Sequence, residues 1–203
     1  MLNKITKLAA LALFTCAAMQ AQAADKESNA LAVTKSELSA KQWIDQLNLE
    51  GHVEGGYFKR IFQAVHRDKI DTPVGKRFTM TSIYYMLTKD SPIGHFHKNT
   101  SDIMHVFVAG DPITYYLIHP DGSLETKVLG HDILAGQSPT MLVKGGDWKA
   151  SVIPTDGNAG YGLITEVVAP GFEYVDMQLG KTSELSKAFP QYADLIEKLS
   201  REE

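Results

Sequence analysis

The sequence predicts an all-β domain, a barrel or sandwich with one short helix before it and one after it. Three observations carry that expectation. Between Asn48 and Asp176, short runs rich in Tyr, Ile, Val, Thr and Phe alternate with Gly, Pro, Asp and Asn clusters, the pattern of many strands joined by tight turns. His119-Pro120-Asp121-Gly122 separates two such runs, with Pro where φ near about −65° is wanted and Gly where a positive φ is tolerated. Helical spacing of apolar residues is confined to the two flanks, at Trp43, Ile44 and Leu47 and again from Leu185 to Leu199,.

In order along the chain, Ser39 and Gln42 form a capping box, so a short amphipathic helix starts there and ends near Asn48,. Strands are expected at Tyr57–Phe62, Thr79–Leu87, Ile103–Ala109, Ile113–His119, Leu124–Leu129, Thr140–Val143, Ser151–Ile153 and Gly162–Val168. Ser183 to Arg201 reads as one helix, with Leu185, Phe189, Tyr192, Ile196 and Leu199 on the face that packs outside the barrel,. No repeat or low-complexity tract divides residues 36–203, which read as a single domain.

Residues 1–23 read as a Sec-type signal peptide. Lys4 and Lys7 precede an apolar run from Leu8 to Met19, and Ala21-Gln22-Ala23 supplies the small-x-small cleavage site,. Cys16 allows a lipoprotein signal as the rival, but Thr15 before it suits lipid attachment poorly,. Residues 24–35 form a polar leader. Cleavage after Ala23 leaves 180 residues, enough for a full core, and no cysteine, which excludes disulfides and thiolate chemistry,. The protein is thus expected in the periplasm or the secreted fraction.

Losing Lys4 and Lys7 moves the formal charge from −4 to −6. That balance argues against nucleic acid as a partner, since phosphate backbones need a basic face. No later segment is long and apolar enough for a membrane-spanning helix,.

The chemistry-bearing stretch is Gly94-His95-Phe96-His97, followed by Asp102 and His105. On an extended strand alternate side chains share a face, so His95 and His97 are expected to point the same way. His105 on the next strand would complete a three-His cluster for a divalent metal, Zn, Fe, Ni or Mn. Glu166, a charge inside a strand, needs a partner, a metal or an outward orientation, and is a possible further ligand. Tyr57, Lys59 and Lys149 are candidate ligand-binding residues. Arg60 and Arg77 are further cations for an anionic ligand, and Tyr84 and Tyr85 further aromatics for a pocket. His52, His66, His119 and His131 adjoin turn residues and carry no assigned role.

Gly94-His95-Phe96-His97, running to Gly110, resembles the first short motif of the cupins, and Lys144-Gly145-Gly146-Asp147-Trp148-Lys149 the second. Five separated stretches are similar in order and spacing to the hallmarks of the cupin_5 branch. They are Glu54-Gly55-Gly56-Tyr57-Phe58-Lys59, Thr81-Ser82-Ile83-Tyr84-Tyr85, Phe96-His97-Lys98, Ala109-Gly110-Asp111-Pro112 and Ala169-Pro170-Gly171-Phe172-Glu173. The resemblance covers Leu47 to Leu199. It implies a double-stranded β-helix, a jelly-roll barrel, commonly paired into homodimers, in a branch of largely unassigned function. Three positions depart from the pattern: Asp102-Ile103 replaces an Asp-Glu pair, His105 a Trp, and Lys149 the late metal-binding His. A site of three His and one Glu therefore does not transfer.

Three functions fit these residues. One is a metal-dependent enzyme using His95, His97 and His105 on a small polar substrate. A second needs no metal: His97 as base and Tyr57 or Tyr84 as acid move a proton beside a carbonyl, provided a carboxylate orients the imidazole. The third is a non-catalytic module that binds a small molecule in its barrel.

Overall fold

Ser39 caps the first helix, α1 (Ala40–Leu47), by the reciprocal bonds its sequence predicts, and Asn48 ends it in the left-handed region at φ 52°. The computed structural model describes residues 38–202. The signal peptide and the leader expected before residue 36 lie outside the described residues.

Thirteen strands follow: β1 (Glu50–Gly51), β2 (Tyr57–Gln63), β3 (Ile70–Thr72), β4 (Gly75–Arg77), β5 (Thr81–Thr88), β6 (Ile93–Asn99), β7 (Asp102–Gly110), β8 (Ile113–Ile118), β9 (Leu124–Leu129), β10 (Thr140–Val143), β11 (Trp148–Val152), β12 (Tyr161–Ala169) and β13 (Met177–Leu179). Two antiparallel sheets face each other. One has the order β1-β2-β5-β12-β7-β10 and the other β13-β6-β11-β8-β9, while β3 and β4 form a separate hairpin. This is a jelly-roll, with short helices at both ends of the barrel region. The eight expected strands are all present. The short β1, β3, β4 and β13 were not expected, since two or three residues carry no readable periodicity; β6, read as extended at His95 and His97, was not among the eight either, and its bulge interrupts the alternation.

Alternation along the strands sorts side chains between an inner and an outer layer. Tyr85, Leu87, Phe107, Ile113, Tyr115, Leu117, Met141, Val143 and Ile164 fill the space between the sheets. Outside the larger sheet, Trp43, Ile44 and Leu47 of α1 cover Tyr57, Tyr84, Met86 and Leu163. Outside the smaller sheet, Leu185, Ile196 and Leu199 cover Phe96, Ile118 and Ala150. Each large apolar side chain buried this way contributes about 1.5–3 kcal/mol.

The expected single C-terminal helix is two, α2 (Thr182–Ala188) and α3 (Ala193–Leu199). Pro190 is the reason: the residue before a proline is excluded from the helical region, and Phe189 sits at φ −131°, ψ 64°,. The five predicted face residues still pack inward, because the break preserves their common side.

Candidate functional site

The barrel interior is apolar at one end and charged at the other. Glu166 on β12 stands directly opposite His105 on β7, so their side chains share the inner face of one sheet. Lys149 enters from β11 in the other sheet. Its Nζ lies 2.9 Å from His105 Nε2 and 3.0 Å from Glu166 Oε1. All three residues are at most 5 % exposed.

Protonation follows from the partners. His105 Nδ1 faces the Ile103 carbonyl oxygen at 3.3 Å. A carbonyl only accepts, so Nδ1 donates to it, while Nε2 meets both the Lys149 ammonium and, at 3.0 Å, Glu166 Oε1. Burial first, then the Lys149 charge, push the His105 imidazole below its usual titration range, against the opposing pull of Glu166. Burial alone would raise the Glu166 carboxyl, but Lys149 and His105 outweigh it and hold it well below the usual carboxylate range.

A second pair lies beside the first. Glu54, in the loop between β1 and β2, places Oε2 2.9 Å from His97 Nε2 on β6. His97 Nδ1 donates to the His95 carbonyl at 2.8 Å. Since that nitrogen already bears a hydrogen, one further proton is shared across the Glu54–His97 contact. Burial would raise Glu54, but His97, by charge and hydrogen bond, and then His52 and Lys149 hold it below its ordinary value. Its carboxylate accepts across this contact. Gly55 and Gly56, at φ 102° and 68°, let the Glu54 loop turn tightly against the barrel,.

These groups open on a cavity of about 30 Å³ lined by His52, Glu54, Phe58, His97, Asn99 and Glu166, with Arg60 and Phe172 among the other lining residues. Its size admits one or two waters or the head of a larger ligand. Asn99 is 8 % exposed, and its Oδ1 has no hydrogen-bond partner among the described residues. Burial lowers the His52 imidazole despite the neighbouring Glu54, so this ring is neutral. Tyr85 and Tyr115 point into the same core, and burial raises both phenols well above their ordinary value.

The expected cluster of His95, His97 and His105 is not assembled. β6 carries a bulge opposite β11, where His95 and Phe96 together oppose Ala150. That extra residue breaks the alternation. His97 points into the barrel, whereas His95 lines a separate cavity with Lys181 and Arg201. Among the described residues no group of three or more His, Cys, Asp or Glu is placed to hold a metal ion. The donor set explains this: His105 and Glu166 already surround the Lys149 ammonium, a fixed cation that contests any second one there. The residues do not fit the three-His metal site.

Three other expectations are corrected. Tyr57 and Tyr84 lie on the outer face against the first helix rather than in the pocket, and the Tyr57 hydroxyl donates to Asp90 at 2.6 Å. Lys59 pairs with Tyr84 across β2 and β5, which places it on that outer side too. Arg77 clamps Asp176 through two bonds of 2.6 and 2.7 Å and serves the fold. Sequence reasoning missed Glu54, Asn99 and His52. An acid directly before a glycine pair was the available signal for Glu54; His52 and Asn99 had none.

A jelly-roll of two facing antiparallel sheets with polar side chains converging inside it is the architecture of the cupins, among other jelly-rolls, and the family match places the chain in that superfamily. Within that superfamily the chain belongs to Cupin_5 (DUF985), whose family model matches residues 41–180. An uncharacterized protein of Saccharomyces cerevisiae is 38% identical over 148 residues, 68% of this chain and 73% of the yeast protein. A hypothetical protein from Leishmania major superposes with a TM-score of 0.76 at 30% identity, covering 81% of this chain and 99% of that one. A protein from Shewanella oneidensis gives 0.73 at 36% identity, covering 82% and 99%.

Proposed function

We propose that this cupin binds a small, hydroxylated ligand at the barrel pocket, with Glu54 and Asn99 as acceptors and no metal. The carrying observation is Asn99 Oδ1, a buried acceptor without a partner at the wall of the pocket. Leaving such an atom unpaired costs about 1–3 kcal/mol, which a ligand hydroxyl would remove. Charge complements this reading. Lys149 offsets Glu166 and a proton is shared between Glu54 and His97, while Arg60, on the same wall, adds one cation that bonds only neutral acceptors among the described residues, so the pocket offers a polar guest both acceptors and a donor. Native mass spectrometry with a panel of polyols and small sugars tests it. A saturable adduct on the wild type that is lost in Asn99→Leu is expected. No adduct with any member, or equal adducts on both proteins, would overturn the proposal.

A second reading is favoured by the Glu54–His97 proton. A ligand carbon acid beside a carbonyl would pass its proton to Glu54, with His97 holding the carboxylate in place. Deuterium uptake from heavy water into a bound hydroxy-carbonyl compound, abolished by Glu54→Gln, distinguishes turnover from binding. The Tyr57 and Tyr84 acids have no part in this version.

We also propose export to the periplasm or the medium, and assembly as a homodimer. The basic, apolar and Ala-x-Ala succession of residues 4–23 supports the first,. Met104, Val108 and Leu142, apolar and more than a third exposed on neighbouring β7 and β10, support the second,.

A further inference from the structure

Outside the smaller sheet lies a second cavity, of about 120 Å³, lined by Val53, His95, Phe96, Leu179, Lys181 and Arg201 among others. A water needs only about 10–15 Å³ of such space, so a ligand of several atoms fits. The cavity lies back to back with the barrel pocket. His52 and Glu54 line the inner pocket while Val53 between them lines the outer one, and the β6 bulge turns His95 out while His97 stays in.

The charge of this cavity is one-sided. Among the described residues no carboxylate lines it, and neither Lys181 nor Arg201 makes an ion pair. A backbone bridge pairs Lys181 with Arg201, and the Thr182 N–H donates to the Arg201 carbonyl at 3.1 Å. Two cationic side chains thus leave the backbone at neighbouring points on one cavity, and an anion there would relieve their repulsion. The His95 ring forms part of the wall, with its Nδ1 buried behind the surface and without a partner among the described residues.

We propose that this cavity binds a small tetrahedral oxyanion, inorganic phosphate or the phosphoryl group of a small metabolite. The Arg201 guanidinium offers a fork of two N–H donors, and Lys181 adds a point charge. Several nitrogens from separate chain segments suit an ion that presents oxygens in several directions. No part of the barrel pocket is needed for this site.

Calorimetric titration of the full chain with inorganic phosphate and with glucose 6-phosphate tests the proposal. Saturable binding of at least one compound is expected, weakened about tenfold or more in Arg201→Gln and in Lys181→Gln, since hydrogen bonds to charged groups carry that much. Lys187→Gln, on the second helix, and Glu54→Gln, in the barrel, should bind as the wild type does. Equal affinity for the two compounds assigns the site to the free anion; tighter binding of the sugar phosphate assigns it to a phosphorylated metabolite. Absence of saturable binding to both, equal weakening by Lys187→Gln, or loss in Glu54→Gln with retention in Arg201→Gln would each overturn the proposal. Circular dichroism of each variant confirms that the fold is retained.

Discussion

Lys149 is the residue on which the interior charge balance turns. Its ammonium lies within 3.0 Å of both Glu166 and His105, so Lys149→Met would leave a carboxylate buried without its cation. A loss of about 3–5 kcal/mol is expected in urea denaturation, and Lys149→Met with Glu166→Leu should recover most of it, because an apolar pair of similar volume replaces an ion pair without loss. A cost below about 1 kcal/mol for the single variant would mean that the pair is not buried as described. Acid should act in two stages. Buried His52 and His105 have titrations lowered first by burial. The unfolded chain therefore binds protons at these positions below about pH 6.5 while the folded chain does not, and stability begins to fall there. Glu54 and Glu166 also titrate below their ordinary value when folded. Their contribution is present above about pH 4.3 and is lost as pH falls through their folded values. Thermal melting followed from about pH 8 to about pH 3 should show both declines; a profile level between about pH 7 and pH 5 would contradict neutral histidines.

At the level of elements, the bulge in β6 decides which histidine serves the barrel. Gly94 sits at its inner edge, where a Cβ would meet Ser151 Oγ and the Tyr85 hydroxyl. Gly94→Ala is therefore expected to destabilise by about 1–3 kcal/mol, the range for overpacking a filled core, and Gly94→Ala combined with Tyr85→Phe to recover part of it. Equal stability of Gly94→Ala and the wild type in denaturant would show that β6 is not held so closely. The strands with strong alternation were legible because burial of one face imposes a period of two. The bulge was not, since one inserted residue leaves no trace in composition. Hence His97 was read correctly as inward and His95 was not. The C-terminal break, in contrast, is legible in Pro190, although the apolar face continues across it.

For the molecule as a whole, two open sheets leave edges at β1 and β10 in one layer and at β13 and β9 in the other. Edges and exposed apolar faces invite a second copy. Light scattering at micromolar concentration should give about twice the chain mass, and Leu142→Lys should shift the protein toward monomer. A monomer at all concentrations would remove the dimer proposal. N-terminal sequencing of the exported form should begin at Ala24; a lipidated Cys16 at the N-terminus would overturn that cleavage site.

The sequence by itself determined the fold class, most strand positions, the capped first helix and membership of the family, because turn residues, alternation and short motifs are local signals. It also marked His97, His105, Lys149 and Glu166 as residues of consequence. Only the tertiary structure decided what they do. The Lys149–Glu166 contact joins two sheets, and the Glu54–His97 contact joins a loop to a strand 43 positions further on. Such pairings depend on register and on a bulge, which are set by packing of the whole barrel rather than by any stretch of chain read alone.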